Sequence, residues 1–146
     1  VEEIDRQILQ LLTADGRMSF TDLGKATGLS TSAVHQRVRR LEQRGVIKGY
    51  AAVVNAEAIG LPLTAFVSVT PLDPAVQDDV PERLADVPEI EACHCVAGEE
   101  NYILKVRVAT PGALEVLLTR IRTAANISTR TTVVLSTPFE ARPLRM

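Results

Sequence analysis

Apolar residues recur along this chain in two rhythms, and the change from one to the other divides it. From Glu2 to Thr13 the apolar side is Ile4, Ile8, Leu11 and Leu12, with Asp5, Arg6 and Gln10 on the other, which predicts an amphipathic helix ended by Asp15-Gly16-Arg17. Ser19, followed three residues later by Asp22, approximates a capping box, and Phe20, Leu23 and Ala26 give a second, shorter helix its inner side. After a turn at Gly28-Leu29, Ser30 to Gly45 predicts a third helix. Ser30 is a good N-cap, Gly45 suits the position after the C-cap, and Val34, Val38 and Leu41 form the i, i+4, i+7 stripe that packs on a core. Helix, helix, tight glycine turn, helix is the layout of a helix-turn-helix whose recognition helix comes third.

Val46 to Asn55 alternates apolar with polar or small residues, and Asn55 to Gly60 reads as one short helical turn, so this stretch is a connector. Beyond it the period becomes two. Leu63, Ala65, Val67 and Val69 mark a strand; Val76, Val80, Leu84 and Val87 a helical stripe after the Pro71 to Pro74 turn. Ala92, His94 and Val96 alternate with Cys93, Cys95 and Ala97 in a second strand, and Gly98 to Asn101 turns into a third marked by Tyr102, Leu104, Val106 and Val108. Leu114, Leu117, Leu118 and Ile121 line another helix, and Thr131 to Ser136 is a β-branched last strand. The order βαββαβ is that of ferredoxin-like domains, with both helices on one face of an antiparallel sheet. Phe66, Ile103 and Val134 fall on the other face, which predicts a bare apolar surface that self-association would bury. The expected architecture is α+β: a winged-type helix-turn-helix over 1–48, a linker over 49–61 and a ferredoxin-like domain over 62–146.

Composition narrows the function. With 146 residues, 46% of them hydrophobic, the chain can bury a real core. No apolar run approaches the ~20 residues of a membrane helix and no secretory signal opens the sequence, so a soluble cytoplasmic protein without membrane contact is expected. The start at Val1 rather than Met is consistent with a missing short leader. A net charge of −2 argues against a protein that coats nucleic acid, yet residues 1–55 carry eight basic and six acidic side chains while 56–146 carry eight and twelve. Five of the basic residues and a single acid lie between Thr31 and Tyr50. The outward face of the third helix presents Ser32, Gln36, Arg39 and Gln43, with His35 and Arg40 on its shoulders. Hydroxyls, amides and guanidinium groups are what read base edges and phosphates, so Ser32, His35, Gln36 and Arg39 are candidates for bases. Arg37, Arg40, Arg44 and Lys48 are candidates for phosphates, with Ser30 and Thr31 at the start of the same DNA-binding helix. Arginine-rich surface helices are common, and three short helices also make protein–protein modules and plain bundles; the helix order favours DNA.

With these motifs in order the chain resembles the Lrp/AsnC, or feast/famine, family of transcription regulators, from Ile4-Asp5-Arg6-Gln7-Ile8-Leu9 to Val133-Val134-Leu135. The likeness is carried by Gly28-Leu29-Ser30, Arg37-Val38-Arg39-Arg40-Leu41-Glu42, Gly45-Val46-Ile47-Lys48-Gly49-Tyr50, Cys93-His94 with Gly98, Tyr102-Ile103-Leu104-Lys105 and Thr129-Arg130-Thr131. The resemblance implies a double-stranded DNA target, a ferredoxin-like domain that senses an amino acid, homodimers that assemble to octamers, and control of amino-acid metabolism. Many members carry an acid at the fourth place of the glycine turn, where this chain has Asn101 and places its acids at Glu99 and Glu100.

A free amino acid needs donors for its carboxylate and acceptors for its ammonium. Gly98 is expected to allow close backbone approach or a positive φ, neighbouring amides to serve the carboxylate, and Glu99, Glu100 or Asn101 to accept from the ammonium. On the residues alone a solvated hairpin turn explains glycine plus acids better; the resemblance shifts the reading to an effector site reaching Tyr102, with Thr131 and Val133 as its wall. Strand alternation sends His94 away from Cys93 and Cys95, so these three cannot converge on one metal, and the thiols are expected to serve packing. His35 and His94 are the only imidazoles and no phosphate-binding glycine loop is present, so no catalytic residue, metal or cofactor beyond the amino acid is expected. An amino-acid-converting enzyme and an architectural DNA-binding protein that senses nothing remain the rival readings.

Overall fold

The computed structural model describes residues 1–76 and 78–146. It resolves into two units, Val1–Val53 with Pro138–Met146, and Val54–Thr137. The division differs from the expected one at the C-terminus, where the last residues group with the helices; the Gln10 amide donates to the Met146 carbonyl at 3.4 Å.

The first unit consists of helices α1 (Glu3–Ala14), α2 (Phe20–Thr27) and α3 (Thr31–Gln43). The starts of α2 and α3 and the end of α3 each have a local cause. Ser19 Oγ accepts from the Asp22 amide at 3.0 Å and Ser30 Oγ from the Ala33 amide at 3.2 Å, satisfying amides that have no partner inside the helix. At the end of α3, Gly45 adopts φ 72° and two amides return, Val46 to Leu41 O and Gly45 to Glu42 O, which is a Schellman motif. Ile8, Leu23, Val34 and Val38 form the shared core, with Phe20, Leu29 and Ile47 against it. Asp5 departs from the expected outward side: it is 6% exposed and paired with Arg37 of α3. The winged element is likewise absent, because residues 46–55 form no strand; an extended segment needs a ladder partner, and the described residues offer it none.

In the second unit Asn55 Oδ1 accepts from the Glu57 and Ala58 amides and starts a 3₁₀ turn, Glu57–Ile59, closed by Gly60 at φ 82°. Strands β1 (Leu63–Pro71), β2 (Ile90–Cys95), β3 (Tyr102–Val108) and β4 (Ile127–Val133) form one antiparallel sheet in the order β2-β3-β1-β4. Helices α4 (Val80–Leu84) and α5 (Pro111–Ala125) complete the βαββαβ domain. The helix-side core is Ala65, Val67, Val69, Leu104 and Val106 under Leu84, Leu117 and Ile121. The α4 stripe is shorter than predicted, since Val76 is exposed; Gln77, which the stripe was predicted to span, lies outside the described residues. The last strand starts four residues before the predicted one, because Asn126 ends α5 in the left-handed region at φ 51° and Ile127 enters the core at once.

The other sheet face is mixed rather than bare and apolar. Phe66 lies between Lys105 and Thr132, and Ile103 between Ser68 and His94, so cations and hydroxyls interrupt the apolar residues.

Candidate functional site

On α3 the inner and outer faces separate cleanly. Val34, Val38 and Leu41 are at most 2% exposed, whereas Thr31, Ser32, His35, Gln36, Arg39 and Arg40 are all exposed. Arg44 and Lys48, just past the helix, are exposed too. Ser30 is committed to its cap, and the His35 ring meets the edge of Phe20 at 5.3 Å between centroids, which steadies it against α2. Arg37 does not join the outward set. Its Nη1 donates to Asp5 at 3.1 Å and Glu2 at 3.2 Å, and these two acceptors, Asp5 first, raise its pKa above the ordinary arginine value. The expectation that Arg37 serves a phosphate fails because the buried Asp5 carboxylate on α1 takes the guanidinium inward.

The predicted effector residues are divided by the sheet. Gly98, Glu99, Glu100 and Asn101 form the turn between β2 and β3, closed by the Val96 amide on Asn101 O at 3.0 Å and anchored by the Asn101 amide on Val69 O at 3.0 Å. Glu99 and Glu100 line a cleft of about 160 Å³. Its other walls are Ser68 and Thr70 of β1 and Ser128, Thr129 and Arg130 of β4. Tyr102, Thr131 and Val133 alternate to the helix side instead, paired in register with Val69, Val67 and Ala65. The Tyr102 hydroxyl donates to Asp78, and that bond, with burial, pushes its pKa well above the ordinary phenol value, so it remains a donor at any working pH. Gly98 has no positive φ, and a Cβ there would meet nothing nearer than Glu100 Oε1 at 3.7 Å, so the expected backbone constraint is absent.

The cleft residues missed by sequence reasoning, Ser68, Thr70, Ser128 and Arg130, come from strands far apart in the chain. Their signal was strand parity, legible only once register is known.

Compared with known proteins, residues 2–42 match the AsnC-type helix-turn-helix domain and residues 64–144 the Lrp/AsnC ligand binding domain. The chain belongs to the Lrp/AsnC family. It is 54% identical over 142 residues to the HTH-type transcriptional regulator LrpA of Mycobacterium tuberculosis, covering 97% of this chain and 95% of that one. It is 39% identical over 140 residues to the leucine-responsive regulatory protein of Escherichia coli K12, covering 92% and 85%. Among solved structures it is similar to the M. tuberculosis feast or famine regulatory protein complexed with L-methionine, with a TM-score of 0.94, 54% identity and 95% of each chain covered. This Lrp/AsnC chain is therefore a transcription regulator with a DNA-binding helix-turn-helix and a ligand-binding domain, and not an enzyme.

No described helix of this Lrp/AsnC regulator is long and apolar enough to cross a membrane. Among the described residues no group of three or more His, Cys, Asp or Glu is placed to hold a metal. Cys93 and Cys95, expected to pack, are both exposed on β2, an edge strand of the sheet. Partial burial, then Cys95 and Asp78, raise the Cys93 pKa above the ordinary thiol value. Both thiols should alkylate in the folded protein, and Cys93 more slowly than a free cysteine because less of it is thiolate at a given pH. Timed iodoacetamide labelling at about pH 8 beside a short cysteine peptide, read by mass spectrometry, checks this; a Cys93 that labels as fast as the peptide would contradict it.

Proposed function

We propose that this regulator binds a two-fold symmetric DNA operator through the outward face of α3, and that an amino acid seated at the Gly98–Asn101 turn alters this binding by changing how copies of the chain associate. Residues 1–48 serve DNA, 49–61 connect, and the chain from Pro62 onward holds the effector and the self-association surfaces, as dimers that build to an octamer. The observation that carries the reading is the division of α3: its core stripe is fully buried, so Ser32, Gln36, Arg39 and Arg40 are not needed to hold the fold and are left to meet a groove. Thr31 and His35 extend that surface, and Arg44 and Lys48 lie where phosphates would pass. The effector half is supported by the ligand-binding domain, by the cleft beside Glu99 and Glu100, and by the similar M. tuberculosis protein complexed with L-methionine. An amino-acid signal suits a cytoplasmic regulator of amino-acid metabolism.

A mobility-shift titration with and without an amino-acid panel, with light scattering on the same samples, tests both halves. Effector couplings are typically about 1–3 kcal/mol, so one amino acid should change DNA affinity or assembly by roughly 5- to 150-fold. A shift indifferent to every amino acid would leave a DNA-binding protein that senses nothing, and a footprint without two-fold symmetry would contradict the paired helices. Gly98→Thr is expected to keep the fold, since the added Cβ finds room, while its hydroxyl and methyl crowd Glu100 at the cleft edge and weaken amino-acid binding. Calorimetry with L-methionine and a melting curve read the two effects separately; unchanged affinity would move the site elsewhere.

A further inference from the structure

The Cys93-His94-Cys95 run takes no part in the proposed binding of DNA or an amino acid, and the register of β2 decides what it can do. Cys93, His94 and Cys95 pair in unbroken register with Leu104, Ile103 and Tyr102 of β3; the shift in this ladder lies earlier, between Ile90 and Ala92. The strand is therefore regular here. Leu104 and Tyr102 are buried on the helix side, so both thiols leave the sheet on that side and His94 leaves it on the other. After partial burial, the Cys95 thiol is the largest cause of the raised Cys93 pKa, which puts the two sulfurs within electrostatic reach of each other. Both are free and exposed.

Distance separates two uses of such a pair. In a regular antiparallel strand, residues two apart have Cα atoms about 6.8 Å apart and nearly parallel Cα–Cβ bonds, so their Cβ atoms lie about as far apart. A disulfide needs Cβ atoms about 3.5–4.5 Å apart. Joining Cys93 to Cys95 directly would therefore break the strand. A single ion between the thiolates asks less, because two metal–sulfur bonds of about 2.3 Å allow sulfurs up to about 4.6 Å apart, against about 2.05 Å in a disulfide. Two side chains leaning towards each other can close that gap. Coordination number then selects the ion. Among the described residues no group of three or more His, Cys, Asp or Glu could hold a metal, and Asp78, whose charge acts on Cys93, already accepts from the Tyr102 hydroxyl. Structural zinc asks for four ligands, whereas copper(I), a closed-shell soft ion that favours thiolates, is satisfied by two.

We infer that Cys93 and Cys95 form a two-coordinate site for copper(I) on the helix side of β2. Binding exchanges two S–H bonds for two S–Cu bonds: one copper(I) and two thiols give a dithiolate complex of net charge −1 and two protons, which pass to solvent. Copper stays in the +1 state throughout. The cleft beside Glu99 and Glu100 lies on the other face of the sheet, the face of Ser68, Ile103, Arg130 and His94, so the two sites take ligands of different classes independently.

Anaerobic titration of the full chain with copper(I) held by bicinchoninate, with ascorbate present, tests the site. Wild-type protein should take one copper per chain from the chelator and gain thiolate-to-copper absorption in the near ultraviolet, and an excess of zinc(II) should not displace it. Cys93→Ser and Cys95→Ser should each weaken binding roughly 100-fold or more, because the second of two linked ligands acts at a high effective concentration. His94→Ala should bind as wild type. Both cysteines are exposed, so melting curves of the serine variants should match the wild type and separate loss of a ligand from loss of structure. Wild-type protein that takes no copper from the chelator, or a serine variant that holds it as tightly as wild type, overturns the site. One copper per two chains, or a loss in His94→Ala, would place the ion elsewhere and overturn the assignment to this pair. Oxidised glutathione should yield a Cys93–Cys95 disulfide in urea and none in the folded chain, as read by mass spectrometry; that disulfide in folded protein would overturn the spacing on which the inference rests.

Discussion

Gly24→Val is expected to destabilise the helical unit by about 3–5 kcal/mol and to remove DNA binding with it. A Cβ at Gly24 would sit 2.6 Å from the Leu29 carbonyl oxygen, closer than real Cβ contacts come. The obstacle is backbone and has nowhere to go. Gly28 holds the turn at φ 77°, and the Gly28 and Leu29 amides both return to Gly24 O, at 2.8 and 3.1 Å. Opening the turn forfeits those two bonds, worth about 1 kcal/mol each, on top of about 1–3 kcal/mol for overpacking. The better helix propensity of valine over glycine returns only a few tenths of a kcal/mol. Since Ser30 caps α3 immediately after this turn, the recognition helix loses its orientation when the turn moves. Urea unfolding followed by circular dichroism, beside a mobility shift, measures both. Gly49→Ala is the control, because nothing lies within 4 Å of its Cβ position and it should behave as wild type. A Gly24→Val protein as stable as that control would mean that the close approach is not needed.

That glycine also shows where sequence reading stops. Helices α2 and α3 were legible because stripe, cap and stop signal agreed, and α1, which has no side-chain cap, by its stripe and stop alone. A lone glycine inside α2, by contrast, reads only as a weak helix former, and its necessity arises from a backbone that returns against it. Asp5 is a related case. Seven residues from Leu12, it lies only about 20° away on a helical wheel, so its place was on the inner margin and only its charge suggested solvent. What buries it is Arg37, arriving from a helix some thirty residues on. In the sheet domain the element order was legible, and the face of each residue on β4 was not. Thr131 and Val133 are the wall residues the sequence suggests, whereas Ser128 and Arg130 are the β4 residues that line the cleft beside Glu99 and Glu100. A shift of one residue exchanges the two faces of a strand, and nothing in the run from Ile127 to Val133 sets that parity until pairing with β1 does. The turn itself, with Glu99 and Glu100, was found because acids beside a glycine are local.

Three arginines on or beside one helix should give three different DNA-binding phenotypes. Arg39 is exposed in the middle of the outward face, so Arg39→Ala should cost about 1–3 kcal/mol at a specific operator and relax sequence choice, while non-specific binding changes less. Arg44 is exposed just after α3, where a side chain meets backbone phosphate rather than base edges; Arg44→Ala should weaken all DNA about equally and lower the salt slope by about 1. Arg37 shares the helix, and its charge is already spent on Asp5 and Glu2. Arg37→Ala should therefore leave the salt slope as it is, because no phosphate loses a counter-charge, and should instead lower the melting temperature by leaving the buried Asp5 carboxylate unpaired. Affinities for operator and random DNA across a salt series, with a melting curve for each variant, separate the three. Should Arg37→Ala lower the slope by as much as Arg44→Ala, the guanidinium would have to leave Asp5 for DNA, and the tie between α1 and α3 would belong to the free protein alone. Should Arg39→Ala discriminate between sequences as well as wild type, another face of the helix would enter the groove.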